Sequence, residues 1–269
     1  MSGVRYVPWQ ADGWRGWLDP AAGVDPLACL ADASRAAGRT SRHARTVRLP
    51  VAESAVFVKT YAAPGGWRAE RAFRMGDALA RAGFGVPHVI VAARRDGRGL
   101  LVTREVTGDD LLTTFARPAA LARKRALLRA LGAEIGRLHR AGFVHGDLVP
   151  PNVRLDRDGG FVFLDNDRTR RSGVLVWFAG RRNLVQLGRF VVPRLTLTDR
   201  ARVLAGYAAE RRLTRRARRG LARWVVQKTV ARRCAIDRIP PASALRAGFR
   251  ELMRSGGPFD PATHSRGAR

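Results

Sequence analysis

The segment HGDLVPPNVRLDRDGGFVFLDNDRTRR, residues 145–171, gathers His145, Asp147, Asn152, Asp165 and Asp167 into one short stretch. Asp147 and Asn152 stand five apart in a run that Pro150 and Pro151 keep out of regular helix, because proline lacks an N–H and biases its predecessor to extended geometry. Both side chains can therefore turn toward one point. NVRL and FVFLD read as two short strands about the Asp158-Gly159-Gly160 turn, a hairpin signal, and the second strand delivers Asp165 beside Asn152. A carboxylate and an amide oxygen together suit a hard cation such as Mg²⁺, while Asp147 stays free to act as a base. Each of these residue types is common in turns, but a solvated hairpin does not need the joint pattern H-x-D-x-x-x-x-N, strand, turn, strand, D.

That order resembles the catalytic loop and metal hairpin of protein kinases, in which Asp is the base, Asn binds one Mg²⁺ and a later Asp binds another. Such a site requires a lysine on an upstream strand and a glutamate on the helix that follows. The chain has only three lysines, Lys59, Lys124 and Lys228, and of these Lys59 alone ends a β-type run, AVFVK. Lysine is a compact charge able to reach between phosphates, whereas arginine is a planar fork. Lys59 is thus expected to hold the α and β phosphates of ATP. Glu70, in the helical pattern WRAERAFRMGDALARAG, is expected to hold Lys59.

The remaining elements position this set. GVPHVIVAARRDGRGLLVTREV reads as a hairpin about Asp96-Gly97, and its second strand runs into Glu105 to Thr107, a hinge whose backbone would face adenine. Leu127, Leu128, Leu131, Ile135 and Leu138 follow helical spacing from Leu121 to His139 and place a buried helix just before the catalytic loop. The phosphate-covering loop is reduced: ASRAAGRTSRHARTVRL offers Gly38 with Thr40 and Ser41 in place of a glycine-rich run. The expected fold is α+β and protein-kinase-like: a small β-rich lobe over residues 1–106 and a larger helical lobe over 107–269.

HGDL, PPN and FLDNDRTRR together resemble the bacterial lipopolysaccharide kinases, the Kdo and core-heptose kinases, which carry an H-G-D loop and an acidic D-x-D-R metal segment on a protein-kinase-like fold. The resemblance runs from about Arg39 to Arg194 and includes RRNLVQLGRF, residues 181–190, as the helix after the metal site. It implies Asp147 and His145 in the catalytic loop, Lys59 and Glu70 as the nucleotide-positioning pair, and Asn152 and Asp165 as metal ligands. It also implies ATP and Mg²⁺ as cofactors. Two departures stand out: Asn166 replaces an aromatic between the two aspartates, and the glycine loop is short.

Substrate class is constrained separately. There is no A-P-E motif, and the chain passes from Asp165 through TRRSGVLVWFAG into a helix within about a dozen residues, leaving little room for a peptide platform. Gly146 stands where an arginine would meet a phosphorylated loop. A sugar hydroxyl of lipopolysaccharide core or a related glycolipid is the expected acceptor. An aminoglycoside- or choline-type phosphotransferase is the alternative, opposed by Arg168, Arg170 and Arg171 beside the site; a catalytically inactive kinase-like binding protein is the third reading.

Fifty basic against 22 acidic residues, a net charge of +28, call for a polyanionic partner. Nearly all the basic residues are arginine, so part of this excess reflects composition. Residues 210–234 concentrate it: Arg212, Arg216, Arg219 and Arg223 recur at helical spacing, with Leu221, Val225, Val226, Val230 and Cys234 able to face inward. This segment is expected to meet an anionic membrane surface or a phosphorylated sugar. Nucleic acid is the less favoured partner, since no zinc pattern, RNP-type strand or recognition helix appears. Cys29 and Cys234 belong to no metal spacing, which fits a reducing cytoplasm. No run reaches the roughly 18 apolar residues of a membrane span. A cytoplasmic protein, peripheral on the inner membrane's cytoplasmic face, is expected.

Overall fold

The computed structural model describes residues 5–51, 54–173, 176–189, 192 and 194–236; the side chains of 233–236, Cys234 among them, and the tail 237–269 lie outside the description. The chain forms two compact units. One comprises Met1–Thr107 with Val162–Thr169, the other Gly108–Phe161 with the residues from Arg170 onward. The segment 162–169, read from sequence as part of the second lobe, groups with the first unit.

The first unit is a seven-stranded antiparallel sheet. Its strands are β1 (Val7–Ala11), β2 (Trp14–Leu18), β3 (Arg39–Thr40), β4 (Ala44–Val51), β5 (Ser54–Tyr61), β6 (Val89–Arg95) and β7 (Arg98–Arg104), in the order β1-β2-β6-β7-β5-β4-β3. Two hairpins turn on Asp-Gly pairs with left-handed φ at both residues, Asp12-Gly13 (48° and 75°) and Asp96-Gly97 (48° and 74°). This is the two-residue turn whose twist matches that of the flanking strands. The first pair adds β1 and β2 to the sheet edge beyond β6, two strands the sequence reading did not assign; Asp-Gly between VPWQA and WRGWL is the signal that marks them.

Helix α1 (Pro26–Arg35) is capped by the Asp25 carboxylate, with Pro26 at its first position, the favoured arrangement for a helix start. Its Cys29 and Ala33 pack with Trp14, Val47, Val56, Val58 and Ile90 on one face of the sheet. Helix α2 (Trp67–Arg81) lays Ala69 and Ala72 on the opposite face, with Tyr61, Ala92 and Leu101. Strand alternation sends Val58 toward α1 and Lys59 toward the face of α2. The segment 162–169 is fastened here by a parallel bridge between Gly85 and Val162, the Phe163 N–H to Gly85 O bond of 2.8 Å, and edge-to-face contact of Phe84 with Phe163.

The second unit is mainly helical: α3 (Leu111–Ala116), α4 (Leu121–Arg140), α5 (Val176–Gly188), α6 (Leu197–Glu210) and α7 (Arg215–Ile236). Short strands β8 (Asp109–Asp110) and β10 (Val153–Leu155) pair antiparallel, as do β9 (Phe143–Val144) and β12 (Arg170–Arg171), while β11 (Phe161–Phe163) carries the chain back to the first unit. Helix α4 buries Leu128, Leu131, Ile135 and Leu138, the face its periodicity predicts. It meets α6 through glycines: a Cβ on Gly132 would lie 1.8 Å from Val203 O, and one on Gly206 would lie 2.0 Å from Arg129 O. Lys124, the second of the three lysines, pairs at 2.6 Å with the buried carboxylate of Asp199, which completes a capping box with Thr196 at the start of α6. The basic stretch 210–234, expected to be an amphipathic helix or helix pair, takes the last residue of α6, a turn and α7.

Candidate functional site

Lys59 sits near the end of β5, on the sheet face that α2 covers. Its Nζ lies 2.5 Å from Asp165 Oδ1 and 3.8 Å from Asp167 Oδ2. Asp165 adopts a left-handed conformation, φ 58° and ψ 58°, which costs a non-glycine residue about 1 kcal/mol or more. That backbone turn leaves the Asp165 side chain 37% exposed, while that of Asp167 is only 7% exposed. Burial, followed by the neighbouring Asp165 charge, raises the Asp167 pKa above the usual carboxylate range, against the pull of Lys59 and Arg68. The turn is braced by Asn166, whose amide donates to Phe163 O and accepts from the Thr169 hydroxyl. An asparagine in place of an aromatic thus ties the two ends of the acidic turn together.

Helix α2 contributes to this site differently from the sequence expectation. Glu70 does not hold Lys59; its carboxylate pairs with Arg94 Nε of β6 at 3.2 Å. Helical geometry explains the correction. The positions of α2 that face the acidic turn are 68 and 71, one turn apart: Arg68 reaches Asp167 Oδ2 at 3.5 Å and Arg71 donates to Thr169 O at 3.3 Å. Position 70 is rotated about 200° from 68 at 100° per residue, which turns it toward β6. Two arginines therefore occupy the helix face where a glutamate was expected.

In the second unit, Asp147 lies on a loop held from three directions. Its N–H donates to His145 Nδ1 at 3.1 Å, and its carbonyl accepts from Val149 N at 2.9 Å and Asn152 Nδ2 at 3.0 Å. Pro150–Asn152 forms a single 3-10 turn. The Asn152 amide nitrogen is committed to the loop, so its acceptor chemistry rests on Oδ1. The Asp147 side chain remains 36% exposed, with Arg189 Nη2 at 3.7 Å from Oδ1.

Helix α5 fixes this loop. Asn183, Gln186 and Arg189 recur every three residues along it and its C-terminal end, so they share one side. Asn183 accepts from His145 N and donates to His145 O; Gln186 accepts from Leu148 N and donates to Gly146 O. Behind them the buried His139 ring bridges Tyr207 Oη and Asn183 Oδ1, both at 3.0 Å. Burial lowers the His139 pKa to about 4, so the ring is neutral at pH 7. Because Asn183 Oδ1 is an acceptor, the proton sits on Nε2, and Nδ1 accepts from the tyrosine hydroxyl. The sequence reading missed Asn183, Gln186, His139 and Tyr207; their partners are backbone groups or lie 44 and 68 positions away, which periodicity cannot show.

The other expected residues have these places. Gly38 packs on β4, where a Cβ would meet Val47 Cγ2 at 2.6 Å and Thr46 O at 2.9 Å; its glycine is needed for close packing. Thr40 is exposed on β3. Glu105 forms a two-bond pair with Arg48, both bonds 2.8 Å, and its N–H donates to Ala55 O. Among the described residues no cluster of three or more His, Cys, Asp or Glu could hold a metal ion. A Mg²⁺ bound with nucleotide needs only one or two protein carboxylates, since phosphates and waters complete its shell. Asp165 of the first unit has the oxygen chemistry of such a ligand, and so, within the second unit, has Asn152 Oδ1.

Comparison with known proteins bears on the fold and the family. The aminoglycoside-3'-phosphotransferase of type VIII shares the fold, with a TM-score of 0.54 at 18% identity over 76% of this chain and 98% of that one. The KEOPS complex subunit Bud32 of Pyrococcus abyssi (strain GE5 / Orsay) is 33% identical over 101 residues, 36% of this chain and 44% of the relative. A probable bifunctional tRNA threonylcarbamoyladenosine biosynthesis protein of Methanoculleus marisnigri (strain ATCC 35101 / DSM 1498 / JR1) is 37% identical over 79 residues, 29% of this chain and 15% of the relative. The chain spans less than half the length of these curated relatives. Residues 54–207 match the lipopolysaccharide kinase (Kdo/WaaP) family, a stretch that begins at the lysine strand, contains Asp147, Asp165 and Asp167 and ends at the tyrosine behind His139. With more than half of its length so matched on a protein-kinase-like fold, this chain belongs to the lipopolysaccharide kinase (Kdo/WaaP) family.

Proposed function

We propose that the chain is an ATP- and Mg²⁺-dependent phosphotransferase that phosphorylates a sugar hydroxyl of lipopolysaccharide core or a related anionic glycolipid. The observation that carries this reading is Asp147: its backbone is fixed from three directions while its carboxylate stays open, as a general base requires. In the proposed reaction Asp147 takes the proton of the acceptor hydroxyl as the new O–P bond forms, and ADP leaves with the electron pair of the broken P–O bond. Lys59 holds the nucleotide phosphates, with Arg68 as a second cation on the same face. Asp165 and Asn152 would hold Mg²⁺, which when bound neutralises phosphate charge. Thus the first unit positions the nucleotide, with the hinge backbone at 105–107 toward adenine, and the second presents the base. Arg189 beside Asp147 favours an acceptor with an anionic group near the reacting hydroxyl, against a cationic antibiotic.

Among the described residues no helix is long and apolar enough to cross a membrane. We place the protein in the cytoplasm and peripherally on an anionic membrane face, where Arg212, Arg216, Arg219 and Arg223, all exposed, meet lipid or acceptor head groups. The test is to incubate the protein with γ-labelled ATP, Mg²⁺ and a panel of deacylated core oligosaccharides, aminoglycosides and proteins. Label on a core sugar is expected, and label only on an antibiotic or a protein would contradict the reading.

A further inference from the structure

A cavity in the first unit is lined by α1, by Val47 and Val58 of the sheet face beneath it, and by the turn 41–43 with Tyr61 at its edge. It has a volume of about 900 Å³, within the range of small-molecule sites of about 300–1,000 Å³. Leu27, Leu30, Val47 and Val58 give it an apolar floor. Its walls are tied together: Arg45 of β4 donates to the carbonyls of Ala33 and Ala36, which fastens the end of α1 to the sheet.

The polar lining has more donors than acceptors. Four arginines, Arg42, Arg45, Arg95 and Arg98, face one carboxylate, Asp12. Asp12 is already bound by Arg95 Nη1 at 2.9 Å, and the Ser41 hydroxyl is bound to Ala44 O at 2.9 Å. Arg42, His43 and Arg98 are exposed and make no ion pair among the described residues. Trp14 lines the cavity, is 3% exposed, and its indole N–H has no acceptor. A buried donor of this kind is normally satisfied, and as a donor only it calls for an acceptor; the Arg95 guanidinium lies 5.1 Å over the same ring.

We infer that this cavity binds a phosphate group, with the indole N–H of Trp14 and the guanidinium groups of Arg42 and Arg98 as its donors. Guanidinium groups and N–H donors converging on one anion give charge-assisted bonds, and the apolar floor accommodates a hydrocarbon or ring that carries the phosphate. Tyr61 also lines the cavity, and its ring lies 5.0 Å from Lys59 Nζ, so a Lys59 variant is needed to separate this site from the transfer chemistry. The turn Ser41–His43 forms part of its rim.

The full chain is titrated calorimetrically with inorganic phosphate, octyl phosphate and the uncharged octyl glucoside, each in the parent and in Trp14→Phe, Arg42→Gln/Arg98→Gln and Lys59→Ala. Saturable binding of a phosphate probe is expected, weakened about tenfold or more in both cavity variants, as loss of a hydrogen bond to a charged group implies, and unchanged in Lys59→Ala. Equal affinity for the two phosphate probes identifies a free phosphate ligand; tighter octyl phosphate identifies a phosphate on an apolar carrier. Absence of binding, equal binding of octyl glucoside, undiminished binding in the arginine variant, or loss of binding in Lys59→Ala would overturn the inference. If Trp14→Phe lowers the melting temperature, the surface arginine pair decides alone.

Discussion

Lys59 and His139 show how one residue's chemistry can be argued from its neighbours. Lys59 meets two carboxylates within 4 Å. Lys59→Arg keeps the charge but replaces a point with a wide fork. Its turnover is expected to fall about a hundredfold or more, the scale for a lost transition-state donor, and to lie near that of Lys59→Ala in a steady-state assay. His139 predicts a pH dependence of stability. Its folded pKa is lowered by burial to about 4, below the ordinary 6.5. The neutral ring's contribution is therefore complete above pH 6.5 and is lost as pH falls toward 4, because only the unfolded chain takes up the proton. The difference amounts to about 3 kcal/mol. Urea unfolding at pH 7.5 and pH 4.5 should show that part of the loss in the parent and not in His139→Gln.

At the scale of elements, the loop of Asp147 is held by side chains of α5, and the helices behind it by close packing. Helices α4 and α6 approach through Gly132 and Gly206, where an added Cβ would meet backbone carbonyls that cannot rotate away. Gly132→Ala should cost about 3 kcal/mol by overpacking, read as a fall in melting temperature. Gly220→Ala, inside α7 with nothing within 4 Å of its Cβ, should instead stabilise by about 0.5–1 kcal/mol through helix propensity. The paired measurement separates close packing from mere helical glycine. Sequence disclosed these elements unevenly. The lysine strand, the Asp96-Gly97 hairpin and α4 were legible because alternation and helical periodicity are local. The role of Glu70 was misassigned because a 100° step per residue decides which α2 side chain faces the acids, and only the packed helix shows its rotation. The Asn183–Gln186 clamp was hidden because it binds loop backbone, which any sequence supplies.

For the whole molecule, a charge of +28 has two meanings, compositional arginine and a working surface, and they forecast different outcomes. If α7 and the turn before it form a surface, vesicles with anionic lipid should bind the chain and release it as salt rises, since exposed charges are screened beyond about 8 Å at physiological ionic strength. Replacing Arg212, Arg216, Arg219 and Arg223 with glutamine should weaken binding by about 1 kcal/mol per residue and leave transfer to a soluble acceptor unchanged. The fold class was legible in the order of motifs, while the return of 162–169 to the first unit was not, because unit membership follows from long-range contacts such as Gly85 with Val162. The central claim is that Asp147 is the base of a phosphoryl transfer from ATP to a core sugar. Its most direct test compares the parent with Asp147→Asn in label transfer from γ-labelled ATP to a deacylated core oligosaccharide, with Mg-ATP binding measured on the same samples. The account predicts nearly unchanged binding and a turnover lower by about 10²–10⁴-fold, the usual worth of a positioned base; full turnover in the asparagine variant, or loss of nucleotide binding along with activity, would contradict it.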